Sequence, residues 1–421
     1  MKIEKLNARM VLDSRGNPTI EAEVLTEEII ASAMVPSGAS TGTHEAVEIR
    51  DKTKEYNGKN IQKAINKIKK TLNPALKGFA VDDQFLIDET MIGKDGTANK
   101  KNIGANAILG VSMACARAGA KTHHFTLHEY IGKLSQTNKQ VLPMPYANVI
   151  NGGEHAGNEL LFQEFMIVPN KAKNFNEAVK IVVETYYALK TILKESFGAE
   201  ATLIGDEGGF APPITKPDEA LDLLVIAAKK AGHTAKISFA LDPAASEFYH
   251  KEIDKYEVWK NKYMTREELV EYYAYLSKKY KITSIEDPFH EDDFEGFAML
   301  TKKIGKKVQI VGDDLTVSNI ERIKIAVQKK LCNALLLKVN QIGTITEALD
   351  AVYLAKKAGW NIMVSHRSGE TEDPFIADLA VGIGCGQIKL GAPARGERTA
   401  KYNQLLRIQS LYPKMKYGKT K

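Results

Sequence analysis

Three acidic side chains in the second half of the chain stand directly after apolar runs. Asp242 follows Ile237–Leu241, Glu286 follows Ile282–Ile285, and Asp313 follows Val308–Val311 and Gly312. A single Asp after a strand is often only a helix N-cap. Three such carboxylates brought to one rim would repel one another, so a cation is expected among them. All-oxygen ligation without Cys or His favours Mg²⁺ before Mn²⁺ and disfavours zinc. Lys338 ends the apolar run Ala334–Leu337, where it cannot easily snorkel to water. Either it pairs with a buried carboxylate, or desolvation and nearby cations lower its pKa until it can accept a proton. Lys389, after Ile388, is expected to be a second cation that holds an anionic substrate.

Loops add further candidates. Pro36–Gly42 is hydroxyl-rich and glycine-hinged, like a lid over phosphate or metal, but lacks the Lys of a P-loop. Gly152–Gly157 carries His155, and Gly205–Phe210 places Asp206 and Glu207 in a glycine-hinged turn. His366-Arg367-Ser368 groups three donors suited to phosphate. His123, His124 and His128 lack an HExxH frame and read as surface or interface histidines.

Such residues are useful only if the fold gathers them. From residue 139 onward nine apolar runs are expected to be strands: 146–150, 164–168, 202–204, 237–241, 282–285, 308–311, 334–339, 361–364 and 387–390. Helical patterns lie between most of them, at 218–231, 266–279, 319–329 and 344–358. Such alternation predicts a parallel sheet closed as a (β/α)8 barrel, with an open doubly wound sheet as the alternative. In the barrel the strand ends converge on one face. No GxGxxG follows a strand, which weakens a dinucleotide-binding version of the open sheet. Residues 20–24 and 29–35 alternate with period two, and 60–80 and 104–131 are helical, so an α+β unit precedes the barrel. The expected division is 1–138 and 139–421, with a polar linker at 135–140.

Composition narrows the classes further. The 421 residues carry 58 basic and 52 acidic side chains, but residues 401–421 hold six Lys or Arg and no acid. The excess is a tail effect, read as a solvated, disordered extension, and nucleic-acid binding is not expected. Three scattered cysteines read as buried small hydrophobes in a reducing cytoplasm, and no leader or membrane span is expected.

Eight stretches in order then resemble the enolase family over essentially the whole chain: VPSGASTG (35–42), Gly152–Gly157 with QEF (163–165), GDEGGF (205–210), SIEDPF (284–289), VGDDL (311–315), LLLKVNQIGT (335–344), SHRSGETED (365–373) and IKLGAPAR (388–395). The resemblance implies reversible dehydration of 2-phosphoglycerate to phosphoenolpyruvate with two Mg²⁺ ions, in an α/β fold whose barrel departs from simple βα order at its start. It implies Asp242, Glu286 and Asp313 as ligands of one metal and Ser40 as a ligand of the second. Lys338 would be the base, and Glu207 the acid with Glu164 beside it. Gln163, His155, His366, Arg367, Ser368 and Lys389 would surround the substrate, which Glu286 and Asp313 also approach. A protonated Glu207 and a neutral Lys338 are expected, from opposite pKa shifts. The resemblance further implies a homodimer or higher oligomer (octamers occur among bacterial members), a bacterial source, a cytoplasmic location with surface display, and plasminogen binding through C-terminal lysines. A superfamily barrel acting on another acid and a non-enzymatic interaction protein are the competing classes.

Overall fold

The computed structural model describes residues 1–38 and 42–418. An antiparallel meander opens the chain: β1 (Lys5–Leu12), β2 (Pro18–Leu25) and β3 (Ile30–Met34). Its period-two pattern sorts side chains by face. Ile20, Ala22 and Val24 are buried, while Glu21 and Glu23 point outward to Arg9. The Ala- and Gly-rich helix Ala105–Thr122 packs on the buried face. A Cβ on Gly110 would stand 3.0 Å from the Ala22 Cβ, so this close approach of helix to sheet needs a glycine.

Eight strands close a barrel in the order β4 (Met144–Asn151), β5 (Glu164–Val168), β6 (Ser238–Asp242), β10 (Ile282–Glu286), β11 (Gln309–Gly312), β12 (Ala334–Leu337), β13 (Asn361–Ser365) and β14 (Gln387–Lys389). Between β6 and β10, β7 (Tyr249–His250), β8 (Lys255–Trp259) and β9 (Lys262–Met264) form a separate small sheet that the apolar runs did not mark. Tyr146, Met166, Val168, Ala240, Val311, Ala334, Leu336 and Met363 fill the barrel interior. The four expected helices are present, as Pro217–Lys230, Arg266–Tyr280, Ile320–Lys329 and Ile345–Lys357.

Four expectations need correction. The run 202–204 is no barrel strand: Ala199–Thr202 forms a 3₁₀ turn, and Ile204 makes one bridge to Phe210. The barrel is not wholly parallel, because β5 runs antiparallel to both β4 and β6. The segment 152–163 holds only a short 3₁₀ turn and no crossover helix, so the chain returns alongside β4. Two helices, Phe175–Phe197 and Pro217–Lys230, then carry it up and back before β6. His128 is no surface residue; it is buried, with Nδ1 3.4 Å from Asp378. The basic tail is not a free extension as far as Gly418. Lys401 is buried against Glu370 at 2.7 Å, Leu142 exchanges backbone hydrogen bonds with Lys416 and Gly418, and Tyr417 donates to the Pro169 carbonyl. The cysteines are buried as expected. Among the described residues no helix is long and apolar enough to cross a membrane.

Candidate active site

The strand ends named above meet at one cavity. Its lining includes His155, Gln163, Glu164, Glu207, Asp242, Asp313, Lys338, His366, Arg367, Ser368 and Lys389. Glu286 joins them through Lys389. Ser40 lies outside the described residues.

Lys389 is the centre of one half. Its Nζ lies 2.7 Å from Glu286 Oε1, 2.8 Å from Asp242 Oδ2 and 3.1 Å from Glu164 Oε1, with every partner buried. Burial alone would lower its pKa, but Asp242, Glu164 and Glu286 outweigh it and hold the ammonium well above the ordinary lysine range. One cation cannot neutralise three acids. Burial, with the Asp242 charge beside it, pushes the Glu286 carboxyl well above its usual range.

Lys338 follows β12, and its backbone N–H is held by Ser318 Oγ at 3.0 Å. Its ammonium bonds Asp313, whose other oxygen accepts from Gln341 Nε2 at 2.8 Å. The expected lowering of the Lys338 pKa is not what this arrangement produces. Burial pushes the value down, but Asp313 raises it above the lysine norm, so the alternative of a lysine paired to a buried carboxylate describes this structure. Asp287, which the sequence did not single out, orders the same corner. Its carboxyl oxygens accept the backbone N–H groups of Asp313 at 2.9 Å and Asp314 at 2.7 Å.

Glu164, already paired with Lys389, and Glu207 are both buried, each 3.7 Å from His155 Nδ1. Glu207 accepts from Asn148 Nδ2 at 3.1 Å, and His366 Nε2 lies 3.2 Å away. The expected raised Glu207 is also corrected. Burial raises it, but His366 and His155 outweigh burial and hold its carboxyl well below the usual range. The raised member is Glu164, through burial and the Glu207 charge. Burial pushes the His366 imidazolium down to about 3, opposed by Glu207 and aided by Arg398. Gly391, at φ +81°, comes so close beneath Glu207 that a Cβ would meet its carbonyl oxygen at 2.7 Å.

Arg367 forms a forked pair with Glu45, Nη1 to Oε2 at 3.0 Å and Nη2 to Oε1 at 3.1 Å, while Glu45 Oε1 also accepts the Gly42 N–H. Asn148, Glu45, Gln341, Asp287 and Arg398 are the groups that sequence reasoning missed. A polar Asn inside the apolar run 146–150 was the one local signal available.

Among the described residues three groups bring possible metal-ligand atoms within 4.8 Å of one another: His155–Glu164–Glu207, Asp287–Asp313–Asp314 and His44–Glu291–Asp292. The expected set Asp242, Glu286 and Asp313 is split, two on Lys389 and one on Lys338. Its chemistry still suits a hard divalent cation. The donors are all carboxylate oxygens, and Glu286 Oε2 is buried without a hydrogen-bond partner.

Residues 3–131 match the family described as "Enolase, N-terminal domain", and residues 139–419 match "Enolase, C-terminal TIM barrel domain". The chain belongs to the enolase family. A protein named "Enolase" from Thermococcus gammatolerans is 54% identical over 410 residues, covering 97% of this chain and 94% of its own. One of the same name from Methanocaldococcus jannaschii is 54% identical over 418 residues, covering 99% and 97%. "Enolase B" of Dictyostelium discoideum is 51% identical over 425 residues, covering 99% and 96%. None of these three relatives is bacterial, so they lend no support to the expected bacterial source. The family membership makes the chain a carbon–oxygen lyase, with Mg²⁺ as the cation the family uses.

Proposed function

We propose that the charged rim of the barrel carries out the enolase reaction, the reversible dehydration of 2-phospho-D-glycerate to phosphoenolpyruvate and water in glycolysis and gluconeogenesis, with two Mg²⁺ ions per site. The observation that carries this assignment of residues is the convergence of Lys338, Lys389, Glu164 and Glu207 on one cavity. Lys338 takes the C2 proton, and the bond between C3 and its hydroxyl then breaks. The departing oxygen leaves as water with a proton from the Glu164–Glu207 pair. Burial and the Glu207 charge raise the Glu164 carboxyl while Glu207 is held low, so we assign the acid role to the pair, with Glu207 as its catalytic acid. Lys338 accepts a proton only when Asp313 no longer holds it charged, so the partner of Asp313 decides when the base is ready.

Removing a proton beside a carboxylate builds negative charge on the substrate, and Lys389 is fixed where such charge develops. Asp242, Glu286 and Asp313 would hold one Mg²⁺ and Ser40 would contribute to the second. When bound, these ions supply further positive charge to the substrate carboxylate. Gln163, whose Oε1 is buried without a partner, together with His155, His366, Arg367 and Ser368, orients the substrate. Arg367 takes the phosphate, for which its fork already matches the Glu45 carboxylate.

Ultraviolet absorbance of the enol product tests the assignment. Purified protein should form product from 2-phosphoglycerate with Mg²⁺ and lose the activity in excess chelator. No product from folded, Mg²⁺-supplemented protein would overturn it, as would activity on sugar acids instead.

The proposal extends to organisation. The α+β unit is 1–138 and the barrel 139–421, the chain assembles as a homodimer or higher oligomer, and it works in the cytoplasm. Sedimentation at the mass of one chain would refute the assembly. A surface role in binding plasminogen rests on Lys414 and Lys416, both exposed; Lys419 and Lys421 lie outside the described residues. Unchanged plasminogen binding after Lys414→Ala and Lys416→Ala would remove that role.

A further inference from the structure

Arg398 sits in the first turn of the helix Gly396–Leu411 and is completely buried, between two of the segments that form the site. Its Nη1 donates to His366 Nδ1 at 2.7 Å and to the Arg367 carbonyl at 2.6 Å. Its Nη2 donates to the Ser368 carbonyl at 2.6 Å and the Asp206 carbonyl at 3.0 Å. One guanidinium therefore ties the turn carrying Glu207 to the segment 366–368.

The contact with His366 has a chemical consequence. A guanidinium has only N–H donors and does not lose its proton in a protein. The ring nitrogen facing it must accept, so neither an imidazolium nor an Nδ1–H imidazole suits this contact. The remaining form is the neutral ring with its hydrogen on Nε2. That nitrogen lies 3.2 Å from Glu207 Oε2, off the line of a hydrogen bond, and has no aligned protein partner. Its N–H is thus left for an oxygen entering the cavity beside Glu207.

We infer that Arg398 is a positioning residue that locks His366 in the Nε2–H tautomer and so makes it a hydrogen-bond donor to the substrate oxygen next to Glu207. The inference rests on the proposed reaction for the identity of that oxygen, while the tautomer rests on the protein geometry alone. A ring with its hydrogen on the other nitrogen would present a lone pair to that oxygen and leave Arg398 facing a second donor. Both contacts would be lost together.

Long-range ¹H–¹⁵N correlation spectra of protein labelled at histidine test it, with the His366 signals identified by their loss in His366→Asn. The wild type should show a neutral Nε2–H ring at pH 7. Glu207→Gln should keep that tautomer, because Arg398 sets it from the opposite side. Arg398→Lys should shift the ring towards a mixture of tautomers and lower kcat by roughly 10²-fold, the scale at which a mispositioned proton-transfer group is felt, with KM little changed. An Nδ1–H ring or an imidazolium in the wild type overturns the inference. So does a tautomer that switches in Glu207→Gln, or one unmoved in folded Arg398→Lys. If Arg398→Lys does not fold, the wild-type and Glu207→Gln spectra still decide. Failure of the reaction assignment would be separate: no dehydration of 2-phosphoglycerate, with His366 still Nε2–H.

Discussion

The two ends of the barrel solve the placing of polar side chains among apolar strands in opposite ways. At the N-terminal ends, Gln309 and Gln387 donate to each other at 2.9 and 3.1 Å, Asn361 donates to Gln309 at 2.8 Å, and Ser238 meets Thr283 at 3.1 Å. These groups are neutral and answer one another. At the other end, where the parallel strands finish and β5 begins, two lysines face an excess of buried carboxylates, and Glu164 Oε2, Glu286 Oε2 and Gln163 Oε1 are buried without hydrogen-bond partners. Unsatisfied buried groups cost stability, so a fold retains them where a ligand completes them. The first end holds the barrel closed, and the second is built to be finished by something else.

The comparison can be broken in several places. Excess chelator should abolish product formation, and added Mg²⁺ should restore it, as read by enol absorbance; full activity without metal would mean the carboxylates complete themselves. Lys338→Ala should lower the rate by roughly 10³-fold, measured by the same assay. A rate near that of the wild type would remove Lys338 as the base. Lys389→Met leaves Asp242, Glu286 and Glu164 without their shared cation. We expect a stability loss of about 3–5 kcal/mol in denaturant titration, beyond the loss of activity. An unchanged midpoint would show that Lys389 does not hold this end together.

A subtler effect follows from His366, whose value is about 3 in the folded chain against 6.5 ordinarily. Between these values the unfolded chain binds a proton that the folded chain refuses. Its contribution is therefore complete above pH 6.5 and is lost as pH falls towards 3, by up to about 1.4 kcal/mol per pH unit. Wild type should lose stability more steeply than His366→Asn between pH 7 and pH 4; equal slopes would contradict the burial of a neutral ring. At the other end, Gln309→Leu strips a partner from Gln387 and Asn361. It should cost about 1–3 kcal/mol while leaving kcat within about twofold. A large fall in kcat would erase the distinction between the two ends.

Much of this was legible without coordinates, for a local reason. Run length and apolar periodicity are properties of neighbouring residues, and eight of the nine expected runs became barrel strands with their polar termini at one rim. The run 202–204 failed because Thr202 belongs to a 3₁₀ turn and the two apolar residues after it, Leu203 and Ile204, satisfy the same pattern without a strand to pair with. The reversed direction of β5 was not readable from its residues, since Glu164–Val168 would be equally apolar in either sense. It depends on what connects the strands.

Charge states were the least legible part. The types and order of Asp242, Glu286, Asp313, Lys338 and Lys389 followed from the sequence, because each ends a run that must be buried. Which lysine meets which acid did not, nor that Glu164 and not Glu207 carries the raised pKa, nor that Arg398 faces His366. Those outcomes are sums of interactions between groups far apart in the chain, made strong by exclusion of water, and they exist only once the barrel has closed. By itself the sequence determined which side chains must reach the rim. The tertiary structure decided which of them are charged there, and towards whom each proton points.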